Sequence, residues 1–205
     1  MTSHALPHGL DVMRAPADRE AGAGVYNEKL GMWVFLGSEV MFFTALIGSY
    51  IILRVAHPSS WKPPGVVLNI PVTAVNTFLL ICSSVTMVKA FASAQEGLLK
   101  AMCRWLVATC VIGATFVGVQ VYEYRHLIEK GFVPSEGLYG STFYTMTGFH
   151  GFHVTIGVLC MIFVTWRAFR GRYTAVDHRG VEVIGLYWHF VDLVWIILFT
   201  IVYLI

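Results

Sequence analysis

Five apolar stretches divide the chain, at about Leu30 to Leu53, Val66 to Val88, Trp105 to Tyr124, Thr142 to Trp166 and Val183 to Ile205. A helix needs ~20 apolar residues to cross a bilayer, so the pattern predicts five transmembrane helices in one compact domain. The few polar residues inside these runs recur at helical spacing and share a face. In the first run Glu39 is the single acid, roughly ten residues in and therefore ~15 Å deep at 1.5 Å per residue. The second run aligns Asn69, Thr73, Asn76 and Ser83, and the third Thr109, Gly113, Gln120 and Glu123, the last near the outer surface. His150 and His153 sit at i and i+3 on the fourth, with Gly157 below them. On the fifth, Glu182, Gly185, His189 and Asp192 cover one narrow arc. Each helix therefore has a face that lipid tails would not solvate.

Composition agrees with the pattern and narrows it. The 205 residues are 57% apolar and 13% charged, with a mean hydropathy of +0.68, which a soluble domain of this size does not show. Basic residues in short loops are retained on the cytoplasmic side. Ten fall in alternate segments (Arg14, Arg19 and Lys29; Lys89, Lys100 and Arg104; Arg167, Arg170, Arg172 and Arg179), against four on the other side, Arg54, Lys62, Arg125 and Lys130. That asymmetry places the N-terminus inside and the C-terminus outside. The first apolar run is too long and begins too late for a cleavable signal peptide, so the first helix is expected to direct insertion. Residues 1–28, rich in Ala, Gly and Pro, read as a flexible cytoplasmic tail in which His4 and His8 are solvated, and residues 29–205 as the membrane domain. A net charge of +2 offers no nucleic-acid surface, and Cys82, Cys103, Cys110 and Cys160 show no metal-site spacing.

The polar faces leave three readings open. His and carboxylate groups can hydrogen-bond between helices and hold the bundle together; His150, His153 and His189 can ligate haem or a metal; or the faces can meet a larger partner. HxxH alone is a weak metal signal. Glu39 reads either as a neutral hydrogen-bond donor or as a proton-exchanging, partner-facing acid. His189 is the expected partner of Asp192. His57, His126 and His178 fall in loops.

Five segments, one per expected helix and in order, carry a resemblance. They are Gly37-Ser38-Glu39-Val40-Met41-Phe42-Phe43, Asn76 to Thr86, Gln120-Val121-Tyr122-Glu123-Tyr124, Thr147 to Val154 (with Phe149-His150-Gly151-Phe152-His153), and Tyr187-Trp188-His189-Phe190-Val191-Asp192-Leu193-Val194-Trp195. Together they resemble subunit III of haem-copper terminal oxidases, the cytochrome c oxidase family, over about residues 29–205. The resemblance implies an all-helical bundle with a V-shaped, phospholipid-holding cleft. It also implies a chain that carries no redox centre and no metal of its own, with haem and copper in partner subunits. Subunit I would be the direct partner, with subunit II, small subunits or a respiratory supercomplex beyond it, in a bacterial inner membrane. The family's buried glutamate maps onto Glu39, and its interior polar positions onto Glu123, His150, His153, Glu182, His189 and Asp192.

Many members of that family have seven helices, and this chain begins where their third would start. The missing pair forms one arm of the cleft, so a neighbouring subunit is expected to complete it or it stays open. Arg54, Lys89 and Arg104 are candidates for lipid phosphate contacts by charge and place alone. The alternatives are subunit III of a quinol oxidase, an accessory subunit of a nitric oxide reductase, a proton-coupled carrier, and a stand-alone haem or metal protein.

Overall fold

The computed structural model describes residues 26–61, 68–135 and 137–205. Most of the expected N-terminal tail, with His4, His8, Arg14 and Arg19, lies outside the described residues, as do Lys62 and the first residues of the second expected span. Among the described residues five helices are long and apolar enough to cross a membrane. They are α1, Asn27–Ala56; α2, Ile70–Gln95; α3, Leu99–Glu129; α4, Leu138–Phe169; and α5, Arg179–Phe199. A wider π-helical turn, Thr200–Leu204, continues α5 to the C-terminus.

Helices α1, α3 and α4 outrun their apolar stretches at both ends, whereas α2 begins inside its stretch at Ile70 and runs on to Gln95, and α5 gains a turn only at its start. Hydropathy marks the part that lies in hydrocarbon, while the helix continues into its polar flanks, such as Tyr124 to Glu129 on α3, so His126, expected in a loop, lies within the helix. Tight turns then reverse the chain. After α2, Gly97 adopts φ 74, the Leu98 N–H reaches back to the Ser93 carbonyl at 2.9 Å, and the Gly97 N–H bonds Ala94 O at 3.1 Å. This paired capping requires a left-handed residue, which glycine adopts without a Cβ clash.

Successive helices run in alternating directions. Helices α2, α3, α4 and α5 close a ring in which α5 also packs on α2, and α1 lies outside the ring against α5 and α4. Cross-bundle contacts read the registers directly. Thr73 meets Glu123 and Thr86 meets Thr109, so α2 and α3 are antiparallel. Lys29 meets Glu182 and Arg54 meets Ile205, so α1 and α5 are parallel. As a result Lys29, Lys89, Lys100, Arg104, Arg167, Arg170, Arg172 and Arg179 gather at one end of the bundle.

In lipid, helices gain little hydrophobic energy by touching one another, so close packing and interhelical hydrogen bonds must hold them. Trp188 on α5 shows how both are achieved. Its indole is buried and lies so close to Gly113 of α3 and Gly157 of α4 that a Cβ there would approach ring atoms to 2.6 and 3.1 Å. Its Nε1–H donates to Ser83 Oγ of α2 at 2.9 Å. One side chain thereby ties three helices to α5, and Trp195 Nε1–H repeats the bond to Thr77 Oγ1 at 2.9 Å.

Candidate functional site

The site expected from the sequence is a set of buried polar groups, and the fold distributes it along the helix seams. Glu39 is not unpaired. Across the α1–α4 seam its Oε2 lies 3.1 Å from His153 Nε2, with both side chains mostly buried. The other ring nitrogen of His153, Nδ1, is 2.7 Å from the Phe149 carbonyl. A carbonyl can only accept, so Nδ1 carries a proton and donates. Nε2 and the carboxyl then share one further proton: the pair is a neutral O–H···N bond with the proton on Glu39, or an ion pair with it on His153. Phe43 packs against the same imidazole at 5.2 Å, and Tyr187 O–H donates to the His153 carbonyl at 2.9 Å.

His150, one turn away, has a different environment. Its ring stacks on Trp195 at 4.8 Å and meets Phe116 edge-on at 6.2 Å. It is fully buried, and neither ring nitrogen has a hydrogen-bond partner among the described residues. His150 and His153 therefore occupy separate seams despite their i, i+3 spacing. Among the described residues no three His, Cys, Asp or Glu side chains converge on a point where they could hold a metal ion.

On the α2–α5 seam the expected pairing of His189 with Asp192 is replaced. His189 Nδ1 lies 2.5 Å from Ser84 Oγ, and the same serine interacts with the buried Asp192 carboxyl. Ser84 is thus the bridge. Residues three apart on one helix are near enough to interact, but here the facing helix α2 supplies Ser84 as the partner instead. The other Asp192 oxygen, Oδ1, has no partner among the described residues.

Glu123, expected near the outer surface, accepts from Thr73 Oγ1 at 2.5 Å. Its neighbour Gln120 donates to the Thr147 carbonyl at 3.1 Å, and Tyr124 O–H donates to Thr147 Oγ1 at 2.7 Å, closing α3 onto α4. Glu182 does not share the environment of His189 and Asp192. It accepts from Lys29 Nζ at 2.5 Å and from Tyr26 O–H at 2.8 Å, fastening the start of α1 to the start of α5. Burial, followed by that bond to Glu182, holds the Tyr26 phenol well above its usual range, so it remains a donor.

Two of the three candidate lipid contacts are already engaged within the chain. Arg54 Nη2 donates to the Ile205 carbonyl at 2.5 Å. Lys89 Nζ sits 4.7 Å from the centre of the Trp105 ring, a cation–π contact. Arg104 is exposed beside a groove. Sequence reasoning missed the tryptophan N–H bonds to Ser83 and Thr77 and the bridging role of Ser84. The Ser and Thr stripe of α2 was visible in the sequence, and antiparallel register sets Thr77 against Trp195 and Ser83 against Trp188.

The description "Cytochrome c oxidase subunit III" belongs to a family model that matches residues 21–205. The chain belongs to that family. Among its relatives, "Cytochrome c oxidase subunit 3" of Thermostichus vulcanus is 42% identical over 176 residues, covering 85% of this chain and 86% of the relative. "Probable cytochrome c oxidase subunit 3" of Mycobacterium tuberculosis is 40% identical over 176 residues, covering 86% and 87%. The Synechocystis protein named "Cytochrome c oxidase subunit 3" is 38% identical over 207 residues, covering 100% of this chain and 87% of its own length. With five apolar spans, this member of the subunit III family is a multi-pass membrane protein.

Proposed function

We propose that this chain is the non-catalytic third subunit of a proton-pumping haem-copper terminal oxidase, in which electrons from cytochrome c reduce dioxygen to water. The family match over residues 21–205 carries this reading. The chain's own chemistry supports it, because its intramembrane acids and histidines are largely occupied in joining helices. Haem and copper reside in partner subunits. Subunit I is the direct partner and subunit II lies beyond it, with small subunits or a respiratory supercomplex as further neighbours. The basic end of the bundle faces the cytoplasm, with the N-terminus inside and the C-terminus outside a bacterial inner membrane.

The chain acts by support. Glu123, His150, His153, Glu182, His189 and Asp192 fix the helix seams, so the surface offered to subunit I is held rigid. Glu39, sharing a proton with His153, serves the proton-entry side. Phospholipid is retained in the V-shaped cleft, completed by neighbouring elements, and at Arg54, Lys89 and Arg104. The test is a strain lacking this chain. The oxidase should assemble with its haems and begin turnover at near-normal rate, then inactivate over successive turnovers far sooner than wild type. A complex that turns over as long without the chain as with it would overturn the proposal.

A further inference from the structure

We infer that a groove at the basic end of the bundle, between the first turns of α3 and the last turn of α4, seats one anionic phospholipid. The groove has a volume of about 540 Å³ and is lined chiefly by Lys100, Cys103, Arg104, Val107, Ala168 and Phe169. Cys103 and Ala168, 8% and 4% exposed, form its floor. Lys100 and Arg104 stand at i and i+4 on one face of α3, where two like charges oppose each other and a shared anion relieves the repulsion. Among the described residues no acid lines the groove and neither cation forms a salt bridge.

The order of groups along the groove matches a lipid. Lys100 lies at the helix end, and Val107 follows it two turns deeper, ~10 Å along the axis. The cations thus lie at headgroup level and the apolar wall at acyl-chain level. Phe169, 66% exposed, supplies the opposite wall. A second cavity, of about 700 Å³ between α1, α4 and α5, does not select an anion in the same way. There Arg167 and Arg179 are accompanied by Glu28 and Asp177.

This site deepens the lipid-retention part of the proposed function but needs only that the chain is embedded in a membrane. The experiment purifies the intact complex through a tag on this chain, exchanges it into detergent with added phosphatidylglycerol or phosphatidylcholine, and counts bound lipid by native mass spectrometry. Wild type should hold one phosphatidylglycerol more than the Lys100→Gln/Arg104→Gln variant, whose affinity at that site falls roughly thirtyfold. Val107→Trp keeps both charges, fills the acyl end, and should lose the same lipid. Unchanged helicity and subunit content identify these losses as local. Equal phosphatidylglycerol counts in all variants, equal retention of phosphatidylcholine, or a groove covered by a partner subunit would each overturn the inference. A preparation without haem would count against the oxidase reading and leave the lipid count interpretable.

Discussion

Replacing Gly113 with alanine tests the packing that holds the bundle together. The new methyl would lie 2.6 Å from Trp188 Cη2, and 3.0 Å from both Trp188 Cζ2 and Val158 Cγ2. The indole has nowhere to retreat. Gly157 backs its far edge, where a Cβ would come within 3.1 Å, and Ser83 holds its Nε1–H. Overpacking of this kind costs about 1–3 kcal/mol. Gly118, on the same helix, has nothing within 4 Å of its Cβ position, so Gly118→Ala gains the same helix propensity without the clash. Propensity cancels between the two variants, and the difference isolates the contact. Thermal unfolding of each purified complex, followed by circular dichroism, should place Gly113→Ala about 1–3 kcal/mol below Gly118→Ala. Trp188→Phe, lacking the Cη2 edge, should absorb part of the clash, so the double variant loses less than the sum of the singles. Equal stability of the two alanine variants would refute the wedged indole.

Three further outcomes follow from the seams. Glu39→Gln can donate an amide N–H to His153 Nε2, so assembly should persist while the oxidase inactivates severalfold sooner under continuous turnover; wild-type endurance would remove Glu39 from the proton-entry role. His189→Leu should cost about 0.6–2 kcal/mol, the range for an intramembrane hydrogen bond, and Ser84→Ala should cost at least as much because it removes the link to both His189 and Asp192. A Ser84→Ala complex with the melting temperature of wild type would contradict the bridge. Glu182→Gln breaks a partly exposed pair worth about 0.2–1 kcal/mol and should speed proteolysis near Tyr26 and Asn27 without lowering the global transition. No change in cleavage rate would show that α1 is fastened elsewhere.

The number and order of the helices were legible in the sequence because hydrocarbon imposes a length and a composition on each crossing. Helix ends were not, since the polar flanks of α3 and α4 continue the helix through solvent-facing residues that hydropathy does not register. The polar faces were legible as faces, yet their partners were not. Glu39 is the only acid of its apolar run, but only the fold brings His153 opposite it. Asp192 and His189 are close in sequence, and the facing helix inserts Ser84 between them in function. Glu182 shares an arc with His189 and Asp192, but α5 begins near it, so it meets Lys29 and Tyr26 at the bundle end instead. Helical periodicity assigns a residue to a side of its own helix, whereas interhelical rotation and register decide what it touches.

The most direct test of the account isolates the chain through a tag in gentle detergent and records an optical spectrum before and after partner subunits are stripped away, with mass spectrometry at both stages. An accessory subunit predicts haem that arrives together with larger subunits, including one with the mass of subunit I, and departs with them. Haem or metal that stays on the 205-residue chain after stripping would contradict it and return His150, His153 and His189 to consideration as ligands.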